Sequence, residues 1–358
     1  MKQSDFLEII TSDEMRPLRD IFKDGVQHPL VGLNLSDQVK ANTERAASRI
    51  AEQNHAWIKK IKSRLLDTTE FSNSSSALGE IRAYGALLET GISVDVNATV
   101  GERHPEFEVD AGGGKVIVEV HSRQLDPQQA QAVKEQKEQH QIRVEAAKER
   151  KANPDEIVSV YGPCIAVMPF GTPEKMGDSV LTNAISRIAA IKAGEKQSDP
   201  EKPFVLWLDF QDPTVFGLSI PLEQLTPLYI KGQNGDVGAG ALWYALYGRK
   251  GDPMTQMQSL DYGTIPMLHD GKFEQSKKVS AVVYSMPRTT ILMEHPSPTH
   301  RIPPSFRASL LKLPFSDLNL SICEWEPGLV QSRLDLERKV VEATVKALSQ
   351  FNLIVNSE

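Results

Sequence analysis

The chain of 358 residues predicts an α/β fold with one mixed sheet at its centre, and three observations carry that expectation. Residues 161–170 and 203–210 are nearly continuous apolar runs, as strands buried on both faces should be. Between them Val180, Leu181, Ala184, Ile185, Ile188 and Ile191 form one helical stripe over residues 179–193. Upstream, over residues 92–121, apolar residues alternate in twos, the period of half-buried strands.

Taken in order, the first seventy residues read as helical. Ser36-Asp37 offers a cap, and Val39, Ala46, Ile50, Trp57, Ile61 and Leu65 recur at near-helical spacing, with polar Thr43 and Asn54 between them. Residues 67–76 are polar and predict a loop. A second helix follows over 77–89, with Gly91 as its stop signal. Residues 92–100 predict a strand, and 106–110 and 115–121 the two arms of a hairpin about Ala111-Gly112-Gly113-Gly114. Residues 127–151, rich in Gln, Glu and Lys with few apolar positions, predict a helix that projects from the body or lies across it. Residues 231–275 are rich in Gly and polar residues apart from a short helix over 241–247. Strands are expected at 279–284 and 290–293, a loop after Pro296, Pro298, Pro303 and Pro304, and a closing helix over 330–351. The expected organisation is an N-terminal helical region (1–70), a core (71–230) and a C-terminal extension (231–358).

Composition sets bounds on function. Forty Lys and Arg against 47 Asp and Glu give a net charge of −7, which excludes nucleic-acid binding by bulk positive charge but not by a local groove. No apolar run reaches the length of a membrane span, so no membrane partner is expected. Met1-Lys2-Gln3-Ser4-Asp5 leads into no signal-peptide core, and two cysteines, Cys164 and Cys323, cannot build a disulfide framework or a four-thiolate zinc site. The expected location is the cytoplasm. Cys164 sits in an apolar run and reads as a small buried hydrophobe. His295 and His300 lie in a Pro-rich stretch and read as surface loop histidines.

The hairpin and the helix before it carry the chemistry. By strand parity Glu106, Glu108 and Asp110 share a face, as do Lys115, Ile117, Glu119 and His121 on the partner strand. A carboxylate from each strand suits a hard divalent ion, which prefers oxygen ligands. Glu80 adds a further carboxylate, in line with the apolar stripe of Ala77, Tyr84 and Leu87. The bland alternative is an exposed polar sheet face with ordinary carboxylates and one titratable histidine.

Glu80, the Pro105-Glu106-Phe107 step, the glycine turn and Glu119-Val120-His121 together resemble the PD-(D/E)xK nuclease superfamily over about residues 76–210. The resemblance implies a restriction-endonuclease-like core, with a central mixed sheet flanked by helices. Glu106 stands where the family has Asp, and His121 where it has Lys. An imidazole there could act as a base or ligate the metal and favour manganese. The implied activity is metal-dependent DNA cleavage, with restriction or defence as its setting. Mg²⁺ or Mn²⁺ would be held by Glu106, Glu119 and the Val120 carbonyl, and Glu80 and His121 would complete the catalytic set. The alternative is a catalytically inactive nuclease-fold subunit for DNA binding or assembly. A homodimer or a partner subunit of a defence system is the further expectation.

Phosphate contacts need cations despite the acidic total. Residues 275–316 contain one acid, Glu294, against Lys277, Lys278, Arg288, Arg301, Arg307 and Lys312, which makes this the first candidate for a substrate-facing surface. The stretch Lys59-Lys60-Ile61-Lys62-Ser63-Arg64 is second, with a solvated helix face as its bland reading.

Overall fold

The computed structural model describes residues 6–23, 26–97, 105–122, 127–150, 188, 191, 199, 201–212, 228–232, 235–239, 241–251, 253–258, 261–287, 289–313, 318–321 and 346. The chain forms two compact units. One comprises Met1–Ala86, His121–Thr172 and Asp209–Ile220, the other Leu87–Val120, Pro173–Leu208 and Pro221–Glu358. The expected strand at 161–170, Cys164, Cys323, Arg288, most of 179–193 and most of 330–351 lie outside the described residues.

The first unit is mainly helical. It contains α1 (Ser12–Leu18), the short strands β1 (Phe22–Lys23) and β2 (Val26–Gln27), α2 (Pro29–Gly32), α3 (Asp37–Leu65), most of α4 (Phe71–Glu89) and α5 (Pro127–Arg150). Ser36 caps α3 by accepting from the Val39 N–H. Inside α3, Asn54 leaves the helical region at φ −147°, ψ 64°. Its side chain accepts from the Trp57 N–H and donates to the Tyr84 hydroxyl, so it acts as a second cap and breaks the helix into two arms. The second arm buries Ile58, Ile61 and Leu65.

Helix α4 begins at Phe71, inside the stretch expected to be a loop. Asp67 makes this possible: it accepts from the Thr69 and Glu70 N–H groups and from the Asn73 side chain. The Asn73 amide, the Thr69 hydroxyl and those N–H groups hold its carboxyl well below the usual range. The serines of the first turns also have partners. Ser74 donates to Leu65 O and Ser75 to Asp212, both from buried positions. Two glycines set the packing of α4. A Cβ on Gly85 would lie 2.5 Å from the Ala46 Cα, so α3 and α4 meet backbone to backbone there. The contact is flanked by Trp57 edge-on to Tyr84, with ring centroids 4.9 Å apart.

The second unit holds a mixed seven-stranded sheet in the order β13-β12-β11-β6-β5-β4-β3. Its strands are β3 (Ser93–Asp95), β4 (Phe107–Asp110), β5 (Lys115–Ser122), β6 (Phe204–Asp209), β11 (Val279–Ser285), β12 (Thr289–Glu294) and β13 (Leu318–Ser321). The hairpins β7 (Leu228–Gly232) with β8 (Gly235–Ala239) and β9 (Pro253–Gln258) with β10 (Asp261–Pro266) stand apart as two-stranded sheets. They occupy the Gly-rich stretch where no strand was expected, because sequences such as Gly-Asp-Val-Gly-Ala carry little β-propensity. The helices whose bounds are described are α6 (Ala241–Tyr247), where expected, α7 (Lys272–Gln275) and α8 (Pro304–Leu310). The Pro-rich stretch does not stay loop-like: Pro303 is the cap of α8 and Pro304 its first residue, where a missing N–H costs nothing.

Strands β3, β4 and β5 are antiparallel neighbours, as are β11 and β12, while β12 and β13 run parallel. Ile117 N–H donates to Pro203 O and Phe204 N–H to the Ser280 hydroxyl. The starts of β5, β6 and β11 therefore lie close together, and β5 and β6 run in one direction, since their far ends, Ser122 and Asp209, both meet Gly79. Every residue of β6 is buried, as its apolar run predicts, and so is every residue of β11.

Candidate functional site

The hairpin β4–β5 is built by its turn. Gly112 and Gly114 take φ of +80° and +129°, a region that penalises any Cβ, and the Gly112 N–H donates to Asp110. Pairing runs from Asp110↔Lys115 to Phe107↔Val118. The next residue on each side is Glu106 and Glu119, so this register carried one step further sets the two carboxylates opposite each other at the open end of the hairpin. Glu106, Glu119, Val120 and His121 are all partly exposed, whereas Val116, Ile117 and Val118 are buried. The chain thus emerges from the core at the residues that carry the motif.

The same face holds a different arrangement nearer the turn. Glu108 is buried and takes Lys115 Nζ at 2.5 Å and Lys202 Nζ at 2.8 Å. Burial alone would raise its pKa, but the two ammonium groups outweigh burial and hold the carboxyl below its ordinary value. Lys202 is raised in turn by Glu108 and Asp199. Glu108 is therefore a structural anion with its charge compensated.

In the first unit, α4 meets the last residue of β5 and the last of β6. A Cβ on Gly79 would lie 2.0 Å from the Ser122 hydroxyl and 3.2 Å from an Asp209 carboxylate oxygen. Around that contact runs a buried polar network. Arg82 is paired with Asp209 through two nitrogens and donates to Thr43, while Asn42 donates to Gln211 and Ser75 to Asp212. Glu80, the residue after Gly79, is 8% exposed and accepts both terminal nitrogens of Arg64, at 2.7 and 2.8 Å. Glu80 and His121 each lie one residue from the Gly79–Ser122 contact.

The cationic window lies elsewhere. Lys277 and Lys278 precede β11, and Arg301 joins them because the Thr299 N–H donates to Lys277 O. These residues sit beside the starts of β5, β6 and β11, while Glu119 lies just past the middle of β5. The offset along β5 is about four residues, roughly 13 Å, with two strand spacings of about 5 Å each across. Lys277, Lys278, Arg301 and Lys312 are exposed. Arg307 is held by Glu294 at 2.6 and 2.8 Å, and Arg288 is outside the described residues.

No family model, characterised protein or solved structure matches the chain significantly.

Among the described residues no group of three or more His, Cys, Asp or Glu side chains is arranged to hold a metal ion. Among them, too, no helix is long and apolar enough to cross a membrane. Two carboxylates and a backbone carbonyl nevertheless fit magnesium, which keeps several waters and takes one or two protein carboxylates.

Sequence reasoning passed over the Arg82–Asp209 pair. Its signal was present: Arg82 interrupts an apolar helix, and Asp209 interrupts the apolar run at 203–210. His295 is a correction. It is 6% exposed rather than a surface residue, since Nε2 donates to Phe273 O at 2.9 Å and Nδ1 accepts from the Ser297 N–H at 2.8 Å.

Proposed function

We propose that this chain is a metal-dependent DNA endonuclease with a restriction-endonuclease-like core, acting in the cytoplasm in restriction or defence. The observation that supports this reading best is the β4–β5 register, which, carried one pair beyond Phe107↔Val118, would bring Glu106 opposite Glu119. Glu106, Glu119 and the Val120 carbonyl would hold one Mg²⁺ or Mn²⁺. That ion, when bound, lowers the pKa of a water and neutralises phosphate charge. His121 shares the face of Glu119 two residues on, where an imidazole can accept a proton from an attacking water. The substrate is a nucleic acid, with DNA first, and a homodimer or a partner subunit remains part of the proposal. Incubation of plasmid with the purified protein and Mg²⁺ or Mn²⁺ tests it. Nicking or linearisation that disappears in Glu119→Ala is expected; intact plasmid in both metals would refute it.

A second reading has one observation in its favour. Glu80, the helical carboxylate of the motif, already has both oxygens on Arg64. In that reading the chain is a silent nuclease-fold subunit that binds DNA or assembles with a partner. Cleavage gained by His121→Lys, with none in the native protein, would favour it.

A further inference from the structure

We propose that Arg64, aimed by Glu80, is a phosphate-contacting residue, and that Lys60 one helical turn before it continues the same track for a nucleic-acid backbone. The inference rests on the nucleic-acid part of the reading above, and it changes the role of Glu80 from a member of the catalytic set to a positioning residue. Glu80 is nearly buried, yet the Arg64 side chain it grips is 42% exposed. The grip is bidentate through both terminal nitrogens, which fixes the guanidinium plane and reduces the rotamer freedom an arginine must lose on meeting a phosphate. Glu80 itself is fixed because its neighbour Gly79 is pressed against Ser122 and Asp209.

The helix arm is aimed as well. The break at Asn54 sets the direction of the second half of α3, and its buried face of Ile58, Ile61 and Leu65 turns Lys59, Lys60 and Ser63 to solvent. Lys60 and Arg64 are four residues apart and so lie on one face. Lys62 points elsewhere and is bound to Glu14 at 2.8 Å. Among the described residues the cations at the start of β11 have no comparable fixing: Lys277 and Lys278 are exposed, and Arg301 donates to Pro296 O at 3.3 Å. The ranking of the two basic stretches from charge alone is thereby reversed.

The test is binding of a fluorescent 20-base-pair duplex by the full chain in EDTA, followed by anisotropy over a salt series. Arg64→Ala is expected to weaken binding about tenfold and to lower the slope of log K against log salt by about one. Arg64→Lys should keep the slope and still bind more weakly, because an ammonium cannot hold the carboxylate fork. Lys60→Ala, on an exposed position that does not threaten folding, should lower the slope by about one on its own. Native affinity and slope in both alanine variants would overturn the proposal. So would a slope that falls with Lys277→Ala and Lys278→Ala instead. Plasmid cleavage in Mn²⁺ separates this inference from the endonuclease reading. A lowered slope in a protein that never cuts leaves Arg64 in place and removes the endonuclease; cutting with unchanged slopes does the reverse.

Discussion

At the scale of single residues, the first unit depends on a buried ion pair. Arg82 is 1% exposed and Asp209 fully buried. Removing one partner of such a pair leaves an uncompensated charge and typically costs about 3–5 kcal/mol. Asp209→Ala should therefore lower the unfolding free energy from urea melts by that amount, and the double variant Arg82→Met with Asp209→Leu should recover most of it. Equal losses in the single and double variants would contradict this account. His295 gives a second prediction. Burial lowers its pKa, against the opposing effects of its bond to Phe273 O and the charge of Glu274, while Lys277 and Arg301 act with burial. The unfolded chain then takes up a proton below about pH 6.5 that the folded chain refuses, so stability is full above that pH and falls as the solution is acidified. His28, buried against Phe71 and bonded to Asp67 O, has the same sign. The thermal midpoint should drop between pH 7 and pH 5, and His295→Gln should flatten that drop. A drop of unchanged size would remove His295 from the explanation.

At the scale of elements, periodicity and the structure agree where one face decides the element. Helix α3, strands β6 and β11, helix α6 and the β4–β5 hairpin fall where apolar spacing puts them. They part where a local hydrogen bond overrides composition. The Asp67 cap turned a Ser-rich stretch into the first turns of α4, and Asn54 broke a helix whose apolar stripe continues across it. Neither is visible from hydropathy, because each depends on a polar side chain finding a particular backbone group. The close approach of α3 and α4 at Gly85 was equally hidden, since a glycine in a helix looks only like a weak helix former. Gly85→Ala should overpack Ala46 and lower stability by about 1–3 kcal/mol in a denaturant melt. An unchanged midpoint would mean that α3 can yield there.

At the scale of the whole molecule, the −7 total conceals an uneven distribution. The candidate carboxylates were legible from strand parity and glycine spacing, and the hairpin register supports their pairing. The placing of the basic residues was not legible, because sequence distance does not say at which end of a strand a residue falls. Residues 277–312 carry six basic residues against one acid, yet Lys277, Lys278 and Arg301 sit where β11 begins, away from Glu119 in β5. Arg64, in a less basic helix, is the cation locked to a carboxylate of the motif. The most direct measurement is anomalous diffraction from crystals soaked in Mn²⁺. A manganese peak bridged by the carboxylates of Glu106 and Glu119, and lost in Glu119→Ala, is the predicted result. Crystals with no peak there, or with Glu106 and Glu119 turned away from each other, would contradict the metal-dependent site at the centre of the account.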